Sequence, residues 1–241
     1  DNRGATMNKR EQQRLKKQQR QQEAERKQQT QKLAMKIGLY VVAPVFILVV
    51  LFTLFSQGPT YSPVEVADND HIRGDPSTPV TITVYADFQC PSCAQENQLM
   101  TRAWPSISDK AHLVFRHFPI TNTHPNAWQA SLYAEAASRQ DRFWEMHDYL
   151  FLNQTLWGPS SDPLGEFDSY ALELNLDVDQ LRADMEMEDV IQKVRNDQRG
   201  GNLAGVRGTP TVFINGDLAS VTTVTRLVEL VDAAYSEASG G

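Results

Sequence analysis

Cysteine is scarce in this chain: there are two in 241 residues, Cys90 and Cys93, three positions apart. A pair so close rules out a stapled scaffold, because closing a four-residue loop constrains the unfolded chain very little. Acidic side chains are few at the start. Residues 1–36 carry four of them against eleven Lys/Arg, a net +7; the remainder carries 12 basic and 26 acidic side chains, a net −14, and together these give −7. One isoelectric point therefore averages a basic segment and an acidic domain. Residues 8–32 lack apolar side chains apart from Leu15 and Ala24. That Gln/Lys/Arg-rich stretch has helical propensity but nothing to bury, so it reads as a solvated tail. It has no aromatic residue on which bases could stack, and no nucleic-acid partner is expected. No internal repeat is visible.

Charge is missing altogether from Ile37 to Phe55, 19 residues in a row. As a helix the run would be about 28 Å long, close to the hydrocarbon thickness of a bilayer. A core helix normally keeps a polar face, and this run is apolar all round. Pro44 is tolerable in a membrane span. The run exceeds a leader's usual apolar region, and no small-x-small cleavage site follows in Leu54-Phe55-Ser56-Gln57-Gly58. Residues 37–56 are therefore expected to be a permanent signal-anchor crossing a cell membrane once. The basic flank, residues 1–36, then stays cytoplasmic beside anionic lipid headgroups, and everything after the anchor is extracytoplasmic. That is the side on which disulfides persist.

Residues 57–64, with Gly58-Pro59 and Ser62-Pro63, form a linker. Residues 65–235 are long enough for one well-buried core, and residues 236–241 are expected to fray. Val80 to Phe88 alternates in a β-branched run, the sign of a strand. Pro91 can open a helix to about Trp104 with Cys90 at its cap. His112 to Phe118 reads as a second strand. Pro125 opens a long helix, and residues 163–175, 178–186 and 188–203 read as further helices. Thr211–Ile214 is a short strand, Asn215-Gly216 a hairpin turn, and Val221 to about Tyr235 a closing helix. This order gives an α/β domain with a helical insertion at about 122–203.

The chemistry gathers at Cys90-Pro91-Ser92-Cys93. A helix starting at Pro91 places the Cys90 sulfur at unpaired N–H groups and a positive dipole end, which stabilise a thiolate. Cys93 lies one turn further in and is less exposed. An accessible thiolate and a second thiol are the parts needed for thiol–disulfide exchange. Metal binding is the rival reading, because Cys90, Cys93, His112 and His117 approach a zinc-finger spacing. The central gap is long, however, and His112 and His117, five apart on a strand, point to opposite faces. No metal and no cofactor are expected. His124 and His147, in or beside the helical block, read as surface or core histidines. A second signal is Gly205-Val206-Arg207-Gly208-Thr209-Pro210-Thr211. Pro210 at a strand entry is either a cis proline beside a ligand or an ordinary trans proline on an edge strand, and spacing does not choose between them.

Taken together, these pieces resemble the DsbA-like branch of the thioredoxin superfamily. The carrying segments are Asp87-Phe-Gln-Cys90-Pro-Ser-Cys93, Phe115-Arg-His-Phe-Pro119, His124-Pro-Asn-Ala127, Phe143-Trp-Glu-Met-His-Asp148, Phe167-Asp-Ser-Tyr170 and Gly205 to Thr211. The resemblance implies a thioredoxin fold with a helical insertion and a redox-active disulfide between Cys90 as nucleophile and Cys93 as resolving cysteine. It also implies a cis Pro210 facing them and a Thr209 backbone that pairs with substrate. The chain departs from the pattern at Val84, six residues before the nucleophile, where relatives often keep a buried acid. Asp87, on the other strand face, is a poor stand-in. The expected activity is that of a protein thiol–disulfide oxidoreductase donating disulfides to reduced client proteins, with a membrane partner for reoxidation. A reductase or isomerase on the same fold is one alternative. A membrane-tethered metal-binding or adaptor module is another.

Overall fold

The structure is a computed structural model that describes residues 9–37, 40, 42–55 and 62–240. The chain divides into two compact units, residues 1–57 and 58–241. In the first unit, helix α1 (Lys9–Ile37) takes the helical alternative for the basic stretch. Helix α2 (Ala43–Phe55) has 13 residues, all but Thr53 apolar. It rises about 20 Å, short of the roughly 30 Å of a hydrocarbon core. No helix of the described residues is long and apolar enough to cross a membrane. The span expected over 37–56 falls in part on residues 38, 39, 41 and 56, which lie outside the described residues. Phe46, Ile47 and Leu48 of α2 are exposed.

The second unit is built on a five-stranded sheet in the order β1-β3-β2-β4-β5. Its strands are β1 (His71–Arg73), β2 (Val80–Ala86), β3 (Ala111–His117), β4 (Thr211–Ile214) and β5 (Asp217–Ala219). β2 runs parallel to β3 and antiparallel to β4, with Val84 opposite Phe115 on one side and Val212 on the other. The parallel pair needs a crossover, which helix α3 (Pro91–Ile107) supplies. β1 is three residues long, too short for an alternation signal, and was not expected. Asn215 and Gly216, at φ of 47° and 89°, make the expected hairpin turn from β4 to β5.

Alternation along β2 sends Ile82, Val84 and Ala86 into the main core, with Cys93, Met100 and Ile107 of α3 and Leu227 and Val231 of the closing helix α10 (Val224–Ser239). The opposite face carries Tyr85, which packs with Phe118, Val206 and Phe213. There Arg116 of β3, 2 % exposed, meets Asp70 at 2.8 Å and the Tyr85 hydroxyl at 3.0 Å. Thr223 caps α10 by accepting from the Arg226 N–H, so this helix starts three residues later than Val221.

Between β3 and β4 lie six helices: α4 (Ala127–Ser138), α5 (Phe143–Leu152), α6 (Gln154–Trp157), α7 (Pro163–Glu173), α8 (Val178–Asp184) and α9 (Glu188–Leu203). The single long helix expected from Pro125 is two, broken where Asp141 takes φ 59°. The block fastens to the sheet through α9. Gly201 lies so close to the rings of Phe118 and Tyr85 that a Cβ would stand 2.8 and 2.9 Å from them.

Candidate active site

Cys90 occupies the N-cap of α3 in extended conformation, with Pro91 in the first helical turn, as the sequence anticipates. Both cysteines are free thiols. Cys93 is fully buried and Cys90 sits at the surface of the same core. The two sulfurs are electrostatically unequal. The Cys93 thiol donates a hydrogen bond to Cys90; against some desolvation, Thr209 and the backbone N–H groups of Cys93 and Ser92 add to it. Together they pull Cys90 from the ordinary thiol value of 9.0 down to about 5. Burial does the opposite to Cys93 and pushes its thiol up. At neutral pH the pair is one thiolate and one thiol, which suits one sulfur to attack and the other to resolve.

The Thr209–Pro210 peptide is cis. It brings the Thr209 carbonyl oxygen to 3.4 Å from Cys90 Sγ, across 119 residues of chain. The Thr209 hydroxyl is buried with no other partner among the described residues, so it is free to donate to the thiolate. Beside it opens a groove of about 520 Å3 whose walls include Gly205, Arg207, Pro210, Phe213 and Leu218. Leu218, on edge strand β5, is 74 % exposed.

The loop before Cys90 is tied down by side chains that the sequence did not single out. Gln154 of α6, nearly buried, donates from Nε2 to the carbonyls of Phe88 at 2.7 Å and Cys90 at 2.9 Å. Gln89 donates to the Gly158 carbonyl and accepts from the Asn126 N–H, both at 2.7 Å. A glutamine in a helical block carries no periodic signal, and only folding shows which carbonyl it meets. Asp87 clamps the same loop: it accepts from the N–H of Gln89 and of Ile120 and pairs with His124 Nδ1 at 2.8 Å. Its own N–H, not its carboxylate, approaches Cys93 Sγ at 3.5 Å.

The zinc-like set does not assemble. His112 contacts the hydroxyls of Thr78 and Thr81, both at 3.1 Å, while His117 pairs with Glu135. His147 is buried among Phe88, Phe115 and Phe151, a core histidine as the sequence reading expects. Among the described residues His71, His117 and Glu135 do bring three ligand-type atoms within 4.8 Å of one another. They close on each other, with Glu135 Oε2 at 2.6 Å from His71 Nε2 and 3.1 Å from His117 Nε2. Burial opposes the charge on Glu135, but the two imidazoles outweigh it and hold the carboxyl below its usual range. The cluster is a hydrogen-bonded knot between β1, β3 and α4, with His117 Nδ1 buried and without a partner among the described residues.

A family profile described as thioredoxin matches residues 66–233, which takes in the sheet, the cysteine pair and the helical block. The chain belongs to the thioredoxin family. Its fold is the DsbA-like one. The crystal structure of Wolbachia pipientis α-DsbA1 aligns with a TM-score of 0.63 at 21 % identity, over 73 % of this chain and 95 % of that one. A thioredoxin-like oxidoreductase from Silicibacter pomeroyi aligns with a TM-score of 0.61 at 25 % identity, over 70 % and 93 %. In sequence, the Na(+)/H(+) antiporter NhaA 1 of Salinispora arenicola is 40 % identical over 149 residues, 62 % of this chain and 22 % of that protein. The chain thus spans about a fifth of the length of the curated relatives it matches. This thioredoxin-family chain sets a low-pKa cysteine, 8 % exposed, three residues from a fully buried one, an arrangement suited to thiol–disulfide exchange.

Proposed function

We propose that the chain is an extracytoplasmic oxidase that passes the Cys90–Cys93 disulfide to thiols of translocated proteins. The observation that carries this reading is the hold on the Cys90 thiolate. Stabilising the thiolate stabilises the reduced pair, and a stable reduced pair makes the disulfide a strong oxidant. A client thiolate attacks Cys90 Sγ, Cys93 leaves, and a second client thiol attacks the mixed disulfide to leave the pair reduced. The groove at Thr209 and Pro210 offers an edge along which an extended client segment can add as a short strand.

The anchor belongs to the same proposal. The basic flank, the apolar residues from 37 to 56 and the exposed apolar side chains of α2 support an extracytoplasmic domain held at a membrane, near a membrane partner that reoxidises it. The direction of electron flow is tested by equilibrating the chain against glutathione buffers. A potential near about −120 mV agrees with an oxidase, and one near about −270 mV makes the chain a reductase. Cys93→Ser should accumulate mixed disulfides through Cys90 when mixed with client proteins that carry a disulfide, the Cys90 thiolate attacking one client sulfur and the other leaving as a thiolate. Their absence would remove Cys90 from the role of nucleophile.

A further inference from the structure

Cys93 must take up or release a proton whenever the pair opens or closes. It is fully buried, and the nearest acid before it in the chain is occupied: the Asp87 carboxylate is held by Gln89, Ile120 and His124. One turn beyond Cys93 on α3 stands Glu96, at i+3 and so on the same helical face. It is 7 % exposed, and its Oε1 is buried with no hydrogen-bond partner among the described residues. Burying a carboxyl oxygen without a hydrogen-bond partner is costly, so a purely structural acid would be paired.

Glu96 lines a small cavity of about 10 Å3, roughly the space of one water centre, between α3, the sheet and α5. β2 and β3 present Val84, Ala86, Leu113 and Phe115 to it, none of them titratable. α5 presents His147, which burial pulls down to about 4 and whose Nδ1 contacts Asp148 at 2.8 Å. From α3 itself Asn97 and Met100 line it beside Glu96, and Cys93 stands one turn earlier on the same helix. Burial pushes Glu96 up to about 7, so it is the group here that changes charge near neutral pH. Asn97 and Phe151 line both this cavity and an outer groove of about 400 Å3, which gives the carboxyl a short way to solvent.

We propose that Glu96 exchanges the proton of Cys93, standing on helix α3 beside a strand β2 that offers only Val84 and Ala86 at this cavity. The proposal rests on Cys93 being the resolving thiol. When the disulfide opens, the client thiolate bonds to Cys90 Sγ and the S–S electron pair leaves with Cys93. Protonated Glu96 gives its proton to that thiolate and becomes a carboxylate. When the pair closes on a mixed disulfide, the Glu96 carboxylate takes the proton from the Cys93 thiol. Cys93 then attacks Cys90 Sγ, and the partner leaves as a thiolate with the electron pair.

The test follows the reduced full chain with oxidised glutathione from pH 5 to pH 9, resolving formation of the Cys90 mixed disulfide from its closure by Cys93. Wild-type closure should show an inflection near 7. Glu96→Gln should slow closure by about a hundredfold and abolish the inflection, Glu96→Asp should restore part of both, and the first step should stay unchanged. Closure in Glu96→Gln at the wild-type rate with the wild-type profile overturns the proposal. So does a carboxyl titration of Glu96 in the unmutated chain, read by carbon-13 magnetic resonance, with its midpoint in the ordinary glutamate range. A wild type whose mixed disulfide never closes overturns the resolving role of Cys93, and that failure is distinct because it appears without any mutation at Glu96.

Discussion

Replacing Cys93 by alanine tests why Cys90 is acidic. The Cys93 thiol is the largest contributor to the depression of Cys90, ahead of Thr209 and the backbone N–H groups of Cys93 and Ser92. A folded-state value of about 5 against an ordinary 9.0 means that the reduced form gains stability in full above pH 9. The gain declines as the pH falls and is gone below about 5. At pH 7 roughly two units of it remain, about 2.7 kcal/mol by the usual conversion. The sulfur is partly open to water, and screening leaves about half of that, equal to ~30 mV in a two-electron potential. Thiolate absorbance followed from pH 3 to pH 10 should give a midpoint near 5 in the native reduced chain. Cys93→Ala should raise it by on the order of one to two units, and Cys93→Ser, whose hydroxyl still donates, by less. A native midpoint above about 8, or an unmoved midpoint in Cys93→Ala, would refute the assignment of the donor.

Three further outcomes concern the scaffold. Gln154→Ala leaves the Phe88 and Cys90 carbonyls without their donor, a loss of about 1–3 kcal/mol, and thermal unfolding should shift down by about 5 °C. Gly201→Ala should destabilise by about 1–3 kcal/mol, because its Cβ meets two buried rings. Gly165→Ala, at an exposed position of α7 with nothing near the added carbon, should stabilise by up to about 1 kcal/mol, and denaturant unfolding of the two glycine variants separates packing from propensity.

Local signals in the sequence determined much of this protein. Alternation in Val80 to Ala86, the proline after Cys90 and Asn215-Gly216 each act within a few residues, so β2, α3 and the hairpin are legible from the chain alone, as is α10 apart from its start. The cysteine pair is legible for the same reason: a thiolate at a helix start is a local arrangement. Strand β1 and the break at Asp141 leave no periodic trace, and the apolar run from Ile37 is longer than the helix Ala43–Phe55 within it.

What the chain could not announce depends on groups far apart in sequence. Spacing left Pro210 undecided between cis and trans; the family resemblance implied a cis bond facing the cysteines, and in the structure the bond is cis with the Thr209 carbonyl 3.4 Å from Cys90 Sγ. His117 finds Glu135 and His71 instead of the cysteines, because β1, β3 and α4 converge there. Gln154 becomes the donor to the cysteine loop only once the helical block has docked. Glu96 looks like one more charge on a surface helix until the face it shares with Cys93 is buried against β2 and α5. Burial is a property of the whole packed domain, and it is burial that turns this carboxyl into a group that titrates near neutral pH.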